Sequence, residues 1–200
     1  MTPERWNPAS RRRFLRRRGT PAFRAADAAE RAVLATWLRE LSPRTVLDVA
    51  SGDGRLFDLW TRAGARVYAL DSDPAMAAIA RSRVADRGDV DVTVGAVPGR
   101  PLPAADLAVC VRLLPWLAEE TADAVLAELV AAAPAVIVQV NVRDESPDAR
   151  AISAGGRHRL EELGRLAAAA DRCGAVTDRV ERLGAASSSR LILLRRRESA

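Results

Sequence analysis

The sequence predicts an α/β fold, a three-layer α-β-α sandwich around a seven-stranded, mostly parallel sheet with the last strand antiparallel. Three observations predict it. Short apolar runs alternate with amphipathic stretches along the chain, glycine and proline mark the junctions, and two final extended segments follow without a long helix between them. Strands alternating with helices imply right-handed crossovers and hence parallel neighbours, whereas the last two segments pair antiparallel.

Taken in order, Val33, Leu34, Trp37, Leu38 and Leu41 recur at helical spacing, with Ser42-Pro43 as a stop. Thr45 to Ala50 reads as a buried strand, and Ser51-Gly52-Asp53-Gly54 as a tight turn into a helix carrying Leu56, Leu59, Trp60 and Ala63, which Gly64 ends. Arg66 to Leu70 is a second strand. Asp73-Pro74 then places a capping carboxylate before a first-turn proline, opening a helix expected to run to about Arg87 with Gly88 as its stop. Val90–Val94, Asp106–Val111 and Ala135–Val140 read as the third, fourth and fifth strands, and Val125, Leu126, Leu129 and Val130 mark a helix between the last two. A polar loop to about Arg157 precedes a helix with Leu160, Leu163, Leu166 and Ala167, expected to end at Gly174, before the extended segments near Val176–Leu183 and Arg190–Arg195.

Length and charge narrow the function classes. Two hundred residues suit one body with a sizeable core. The longest uncharged apolar runs, such as Ala131–Val140, fall far short of the ~20 residues that cross a bilayer, so no membrane span is expected. All 31 basic side chains are arginine, a bias of codon composition as readily as of chemistry. Residues 1–24 carry eight Arg against one Glu, while residues 25–200 hold 23 basic against 25 acidic side chains, a net of −2. The expected division is therefore a basic N-terminal arm over residues 1–24, a candidate lid, and an enzyme body over 25–200. A nucleic-acid enzyme carries its positive field where phosphate lands, which here leaves only Arg11–Arg18. Ser10-Arg11-Arg12-Arg13-Phe14-Leu15 resembles an export signal, but arginines, glycine and proline follow it rather than an apolar stretch. With only the isolated Cys110 and Cys173, a reducing cytoplasm is expected, with no disulfide framework and no metal site. Cys110, inside an apolar strand, reads as inert packing.

In an open parallel sheet, ligands bind beyond the carboxyl ends of the strands, and the first strand-to-helix turn is the anchor. Gly52 and Gly54 let that turn bend sharply and let a ligand approach. A dinucleotide fingerprint requires a third glycine where Phe57 stands, which argues against a nicotinamide cofactor. Asp48 suits a ligand bearing an ammonium and a sulfonium better than a pyrophosphate. Asp71 ends the second strand at the position from which a carboxylate accepts from both ribose hydroxyls, while Asp73, before Pro74, is assigned to capping.

Val46-Leu47-Asp48-Val49-Ala50-Ser51-Gly52-Asp53-Gly54, followed by Ala69-Leu70-Asp71-Ser72-Asp73-Pro74-Ala75-Met76, resembles the class I, Rossmann-like S-adenosylmethionine-dependent methyltransferases, and the likeness extends over nearly the whole chain. The resemblance implies S-adenosylmethionine as cofactor and S-adenosylhomocysteine as product. It places the methionine part over Asp48, Ala50 and Gly52, the ribose on Asp71, and the adenine between Ser72 or Met76 and the Gly95-Ala96-Val97 loop, with Ser51, Gly54 and Val111 completing the set. Two departures stand out: Ala50 where the family has glycine, and Ala96 where an aspartate commonly bonds the adenine amino group.

The acceptor side is expected from Arg112 to Trp116, the loop after Asn141, and Trp6, Phe14 and Phe23 of the arm. His158 is the single histidine and a candidate general base against a surface or helix-start role. Arg112 is a candidate for an acidic acceptor or a cover for the sheet edge. By elimination of the family's nucleic-acid, catechol and arginine-methylating signatures, a small-molecule acceptor leads, with transfer to oxygen, nitrogen or carbon. The alternatives are an RNA (rRNA or tRNA) methyltransferase holding phosphate with Arg11–Arg18, and a protein that binds S-adenosylmethionine without methylating. Oligomeric state is not legible.

Overall fold

A computed structural model describes residues 7–143, 160–185 and 187–198. In chain order these form α1 (Pro8–Arg18), α2 (Pro21–Leu41), β1 (Thr45–Val49), α3 (Phe57–Arg62), β2 (Arg66–Asp71), α4 (Pro74–Arg83), β3 (Val90–Val94) and β4 (Leu107–Cys110). A 3-10 turn (Leu114–Trp116), α5 (Glu119–Ala132), β5 (Ala135–Asn141), α6 (Leu163–Arg172), β6 (Ala175–Arg182) and β7 (Ser189–Arg196) complete them.

The sheet has seven strands in the order β3-β2-β1-β4-β5-β7-β6. Strands β1 to β5 pair in parallel, and β7 runs antiparallel to both β5 and β6. The α/β sandwich read from the alternation is thus the observed architecture. Because β1 and β4 are neighbours while the chain leaves them toward opposite edges, a crevice opens at their carboxyl ends, as the switch-point rule requires.

Two apolar layers hold the sheet. Leu34, Trp37 and Leu38 of α2, Trp60 of α3 and Ala77 and Ala80 of α4 pack on Val46, Leu107, Val109, Ile137, Leu191 and Leu193. Leu126 and Leu129 of α5 with Leu166 of α6 cover the opposite face at Leu47, Val136, Val138 and Ile192. The spacing of Leu34, Trp37 and Leu38 on α2 presents one stripe to the sheet. No described helix is long and apolar enough to cross a membrane.

Three boundaries differ from the sequence reading. The helix expected from Val33 begins at Pro21, because Thr20 caps it by accepting from Phe23 N at 3.2 Å and Pro21 fills its first turn. It therefore crosses the expected division between residues 24 and 25. Helix α4 ends at Arg83 rather than near Arg87: Val84 leaves helical geometry at φ −127° and turns inward to the core. Leu160 precedes α6 instead of opening it, since Glu161 N donates to Asn141 O at 2.6 Å and Arg143 N to Glu161 O at 2.9 Å, extending the strand end by a bridge.

The basic arm is helical over residues 8–18. Asn7 Oδ1 accepts from Ala9 N and Ser10 N, both at 3.0 Å, Pro8 occupies the first turn, and Arg16, Arg17 and Arg18 lie at the carboxyl end, where the helix dipole favours cations. Nothing on α1 is fully buried.

Candidate active site

The turn after β1 is built from left-handed residues. Ala50 has φ 58°, Gly52 φ 61° and Gly54 φ 73°. At Gly54 a Cβ would stand 2.4 Å from the Phe57 ring, so glycine lets the buried Phe57 seat the start of α3 beneath the turn. Ala50 adopts the same backbone region at a steric cost.

Asp71 ties this turn to β2. Its Oδ2 accepts from Gly52 N at 2.8 Å and its Oδ1 from Asp73 N at 2.9 Å. Burial raises its pKa, opposed by those two backbone donors. Asp73 caps α4 by accepting from Ala75 N at 2.9 Å, the role assigned to it from Pro74. Asp48, almost fully buried, accepts from Trp60 Nε1 at 2.8 Å. Burial pushes its pKa up to about 6, against the pull of the indole donor and the more distant Arg55. A carboxylate so placed gains from any cation brought beside it.

A cavity of about 470 Å³ opens above these groups, within the range of small-molecule sites. It brings together Asp48, Ala50, Ser51, Gly52, Asp71, Ser72, Met76, Gly95, Ala96, Val97 and Val111, all expected from sequence on the cofactor side. Of the cofactor set named from sequence, only Gly54 stays behind the wall, shaping the turn. The cradle fits S-adenosylmethionine: an open carboxylate at Asp71 for sugar hydroxyls, a buried one at Asp48 for a positive end, Met76 as an apolar shelf, and a Gly52 with no side chain between them. At Ala96 there is no carboxylate for the adenine amino group, which leaves main-chain groups of the Gly95–Val97 loop to serve it.

The arm closes over this wall. Arg11 Nη1 lies 3.0 and 2.9 Å from the two carboxylate oxygens of Asp73, and Arg18 pairs with the buried Asp53, which Arg83 also meets at 2.8 Å. Phe14 of α1 and Phe23 of α2 meet edge to face with centroids 6.0 Å apart, and both line the cavity.

Arg112, at φ 69°, also lines the cavity, but its guanidinium is committed. Its Nε is 3.1 Å from Glu30 Oε2, and its Cζ lies 4.5 Å above the Phe23 ring. Burial and the neighbouring Arg55 lower its pKa. Glu30, buried on α2, is paired with Arg55 as well, and Arg55 reaches Asp27 at 2.6 Å. This ion-pair cluster, joining α2 to the β1 turn and the β4 loop, was missed from sequence. Its signal was a lone Glu30 on the apolar stripe of α2.

Leu113, Pro115 and Trp116, expected on the acceptor side, line the same cavity, joined by Gln139, Asn141, Leu183, Ser187 and Ser189, of which the sequence reading singles out only the Asn141 region. Cys110 is fully buried, and desolvation holds its thiol far above the usual range. His158 and Trp6 lie outside the described residues. Among the described residues, no cluster of His, Cys, Asp and Glu is arranged to hold a metal.

Residues 46–133 match the family model of the methyltransferase domain. No curated protein matches the chain. Solved structures do. The magnesium protoporphyrin IX methyltransferase of Synechocystis, with S-adenosylhomocysteine bound, superposes with a TM-score of 0.81 at 19% identity over 97% of each chain. A mitomycin 7-O-methyltransferase gives 0.74 at 22% identity, with 96% of this chain covering 58% of that one. Human N-acetylserotonin methyltransferase, in complex with S-adenosylmethionine, gives 0.68 at 18%, covering 84% of this chain and 51% of that one. The segment that matches the methyltransferase-domain model runs from β1 to α5, and the chain is similar in fold to these solved methyltransferases.

Proposed function

We propose that this protein transfers the methyl group of S-adenosylmethionine to an oxygen, nitrogen or carbon of a small-molecule acceptor held under α1 and α2. The observation that carries the reading is a single cavity with two unlike walls. One is the polar cradle of Asp48, Gly52 and Asp71. The other is an apolar wall of Phe14, Phe23, Leu113, Pro115 and Trp116. When bound, the cofactor supplies a methyl group on a cationic sulfur. The chain's part is to align an acceptor with that methyl and keep water out. Asp71 receives the ribose hydroxyls, Asp48 faces the positive amino-acid end, and Gly95–Val97 with Met76 border the adenine. Of the basic arm expected over residues 1–24, the described part acts as a lid on the body, pinned by Arg11 and Arg18.

The same pins weigh against the RNA reading. Arg11 and Arg18, at the two ends of the basic run, are spent on Asp73 and Asp53. Phosphate would have to compete with these carboxylates.

Incubation of the protein with methyl-labelled S-adenosylmethionine and a metabolite extract is expected to give labelled low-mass products. Label confined to RNA or protein rejects the small-molecule reading. Tight cofactor binding without any labelled product favours a binding protein that does not methylate.

A further inference from the structure

Side chains alternate along a strand, so Gln139 of β5 shares its sheet face with Ile137, under α2. Asp48 and Val111 present to the same face beside Val46 and Val109; the register sets Asp48 beside Val109 and Val109 beside Ile137, so Val111 and Gln139 stand one pleat further toward the carboxyl ends than Asp48. Gln139 is the one polar residue in the otherwise apolar run Ala135–Val140. It is 6% exposed and lines the cavity.

Its amide is oriented by a short relay. Gln139 Nε2 donates to Ser189 Oγ at 3.1 Å, and Ser189 Oγ donates to Asn141 Oδ1 at 2.9 Å. That leaves Gln139 Oε1 buried and without a hydrogen-bond partner. Buried amide oxygens are nearly always satisfied, so a persistent exception on a cavity wall marks a place where a ligand completes the pairing. An oxygen there accepts and cannot donate. The same cavity is lined by Phe14, Phe23, Leu113, Pro115 and Trp116.

We infer that the acceptor is an apolar, ring-bearing molecule carrying a hydroxyl or N–H group that donates to Gln139 Oε1, and that Gln139 selects for that donor. The inference rests on the methyltransferase reading of this cavity. Gln139 recognises the acceptor and takes no proton from it. A site built around a polar group rejects a ligand that leaves the group unpaired, because the desolvation of that group is then not recovered.

The test is binding to the full chain saturated with S-adenosylhomocysteine, read by calorimetry and thermal shift. The probes are 2-naphthol and indole, set beside 2-fluoronaphthalene and 1-methylindole, which lack the donor, and quinoline, which only accepts. The donor-bearing compounds are expected to bind ~10-fold or more tightly than their partners. Gln139→Leu should abolish that preference while keeping its thermal response to S-adenosylhomocysteine, and Gln139→Glu, which still accepts, should preserve it. Equal binding within pairs, tighter binding of quinoline, failure of every ring compound to bind, or an unchanged preference in Gln139→Leu overturns the inference. A wild-type protein that gains no stability from S-adenosylhomocysteine instead removes the cofactor reading beneath it.

Discussion

Asp48→Asn should make the unliganded protein more stable at neutral pH, although it replaces a residue of the cofactor wall. The buried carboxyl titrates at about 6 rather than 3.8, a difference worth about 3 kcal/mol at 1.36 kcal/mol per pH unit. The sign follows from proton counts. Between the unfolded and folded values the native state holds a proton that the unfolded chain has lost, so wild-type stability falls as pH rises from about 4 to 6 and stays lower above that. Asparagine remains neutral and still offers an oxygen to Trp60 Nε1, so the variant escapes this loss. The two proteins are therefore expected to match near pH 4, and the variant to lead by up to about 3 kcal/mol at pH 8. Urea denaturation at each unit from pH 4 to 8 measures the difference, provided the slopes agree. S-adenosylmethionine should reverse the ranking in part, because its ammonium repays an ionised Asp48 and does little for asparagine. A variant less stable than wild type at pH 8, or a difference that does not change with pH, refutes the account of Asp48 as a desolvated carboxylate awaiting a cation.

Ala50 stands at φ 58°, where a Cβ is crowded by the backbone; Ala50→Gly is expected to raise the urea midpoint, by up to ~1 kcal/mol after the entropy gained by the unfolded chain, and Ala50→Val to lower it. Asp71→Ala strips acceptors from Gly52 N and Asp73 N, so it should cost about 1–3 kcal/mol and shrink the thermal shift given by S-adenosylmethionine. Deleting residues 1–19 removes Phe14 and both pins of the arm but spares the Thr20 cap; the cofactor-induced shift should persist while low-mass methylation falls, and unchanged methylation would show that the arm takes no part in the acceptor site.

The chain's local chemistry dictated the elements and the cofactor turn. Apolar runs of strand length, glycines at 52 and 54, a capping Asp73 before Pro74 and Asp71 at the end of β2 act over a few residues, so they could be read in order without coordinates. Tertiary structure decided what those local patterns leave open. Helix α2 begins at Pro21 because its stripe finds the sheet, and α4 stops at Arg83 because Val84 finds the core. The arginines of the arm read as a basic arm and a candidate lid; long-range pairing of Arg11 with Asp73 and Arg18 with Asp53, 62 and 35 positions away, folds α1 onto the body. Gln139 and Ser189 become neighbours only through the antiparallel pairing of β5 with β7, and Glu30 meets Arg112 only through the packing of α2 on the sheet. Such contacts join residues with no spacing rule between them. Chain-local forces set the bend from Ala50 to Gly54 and the Asp73 cap, whereas the walls of the cavity were fixed by which distant surfaces could pair and bury one another.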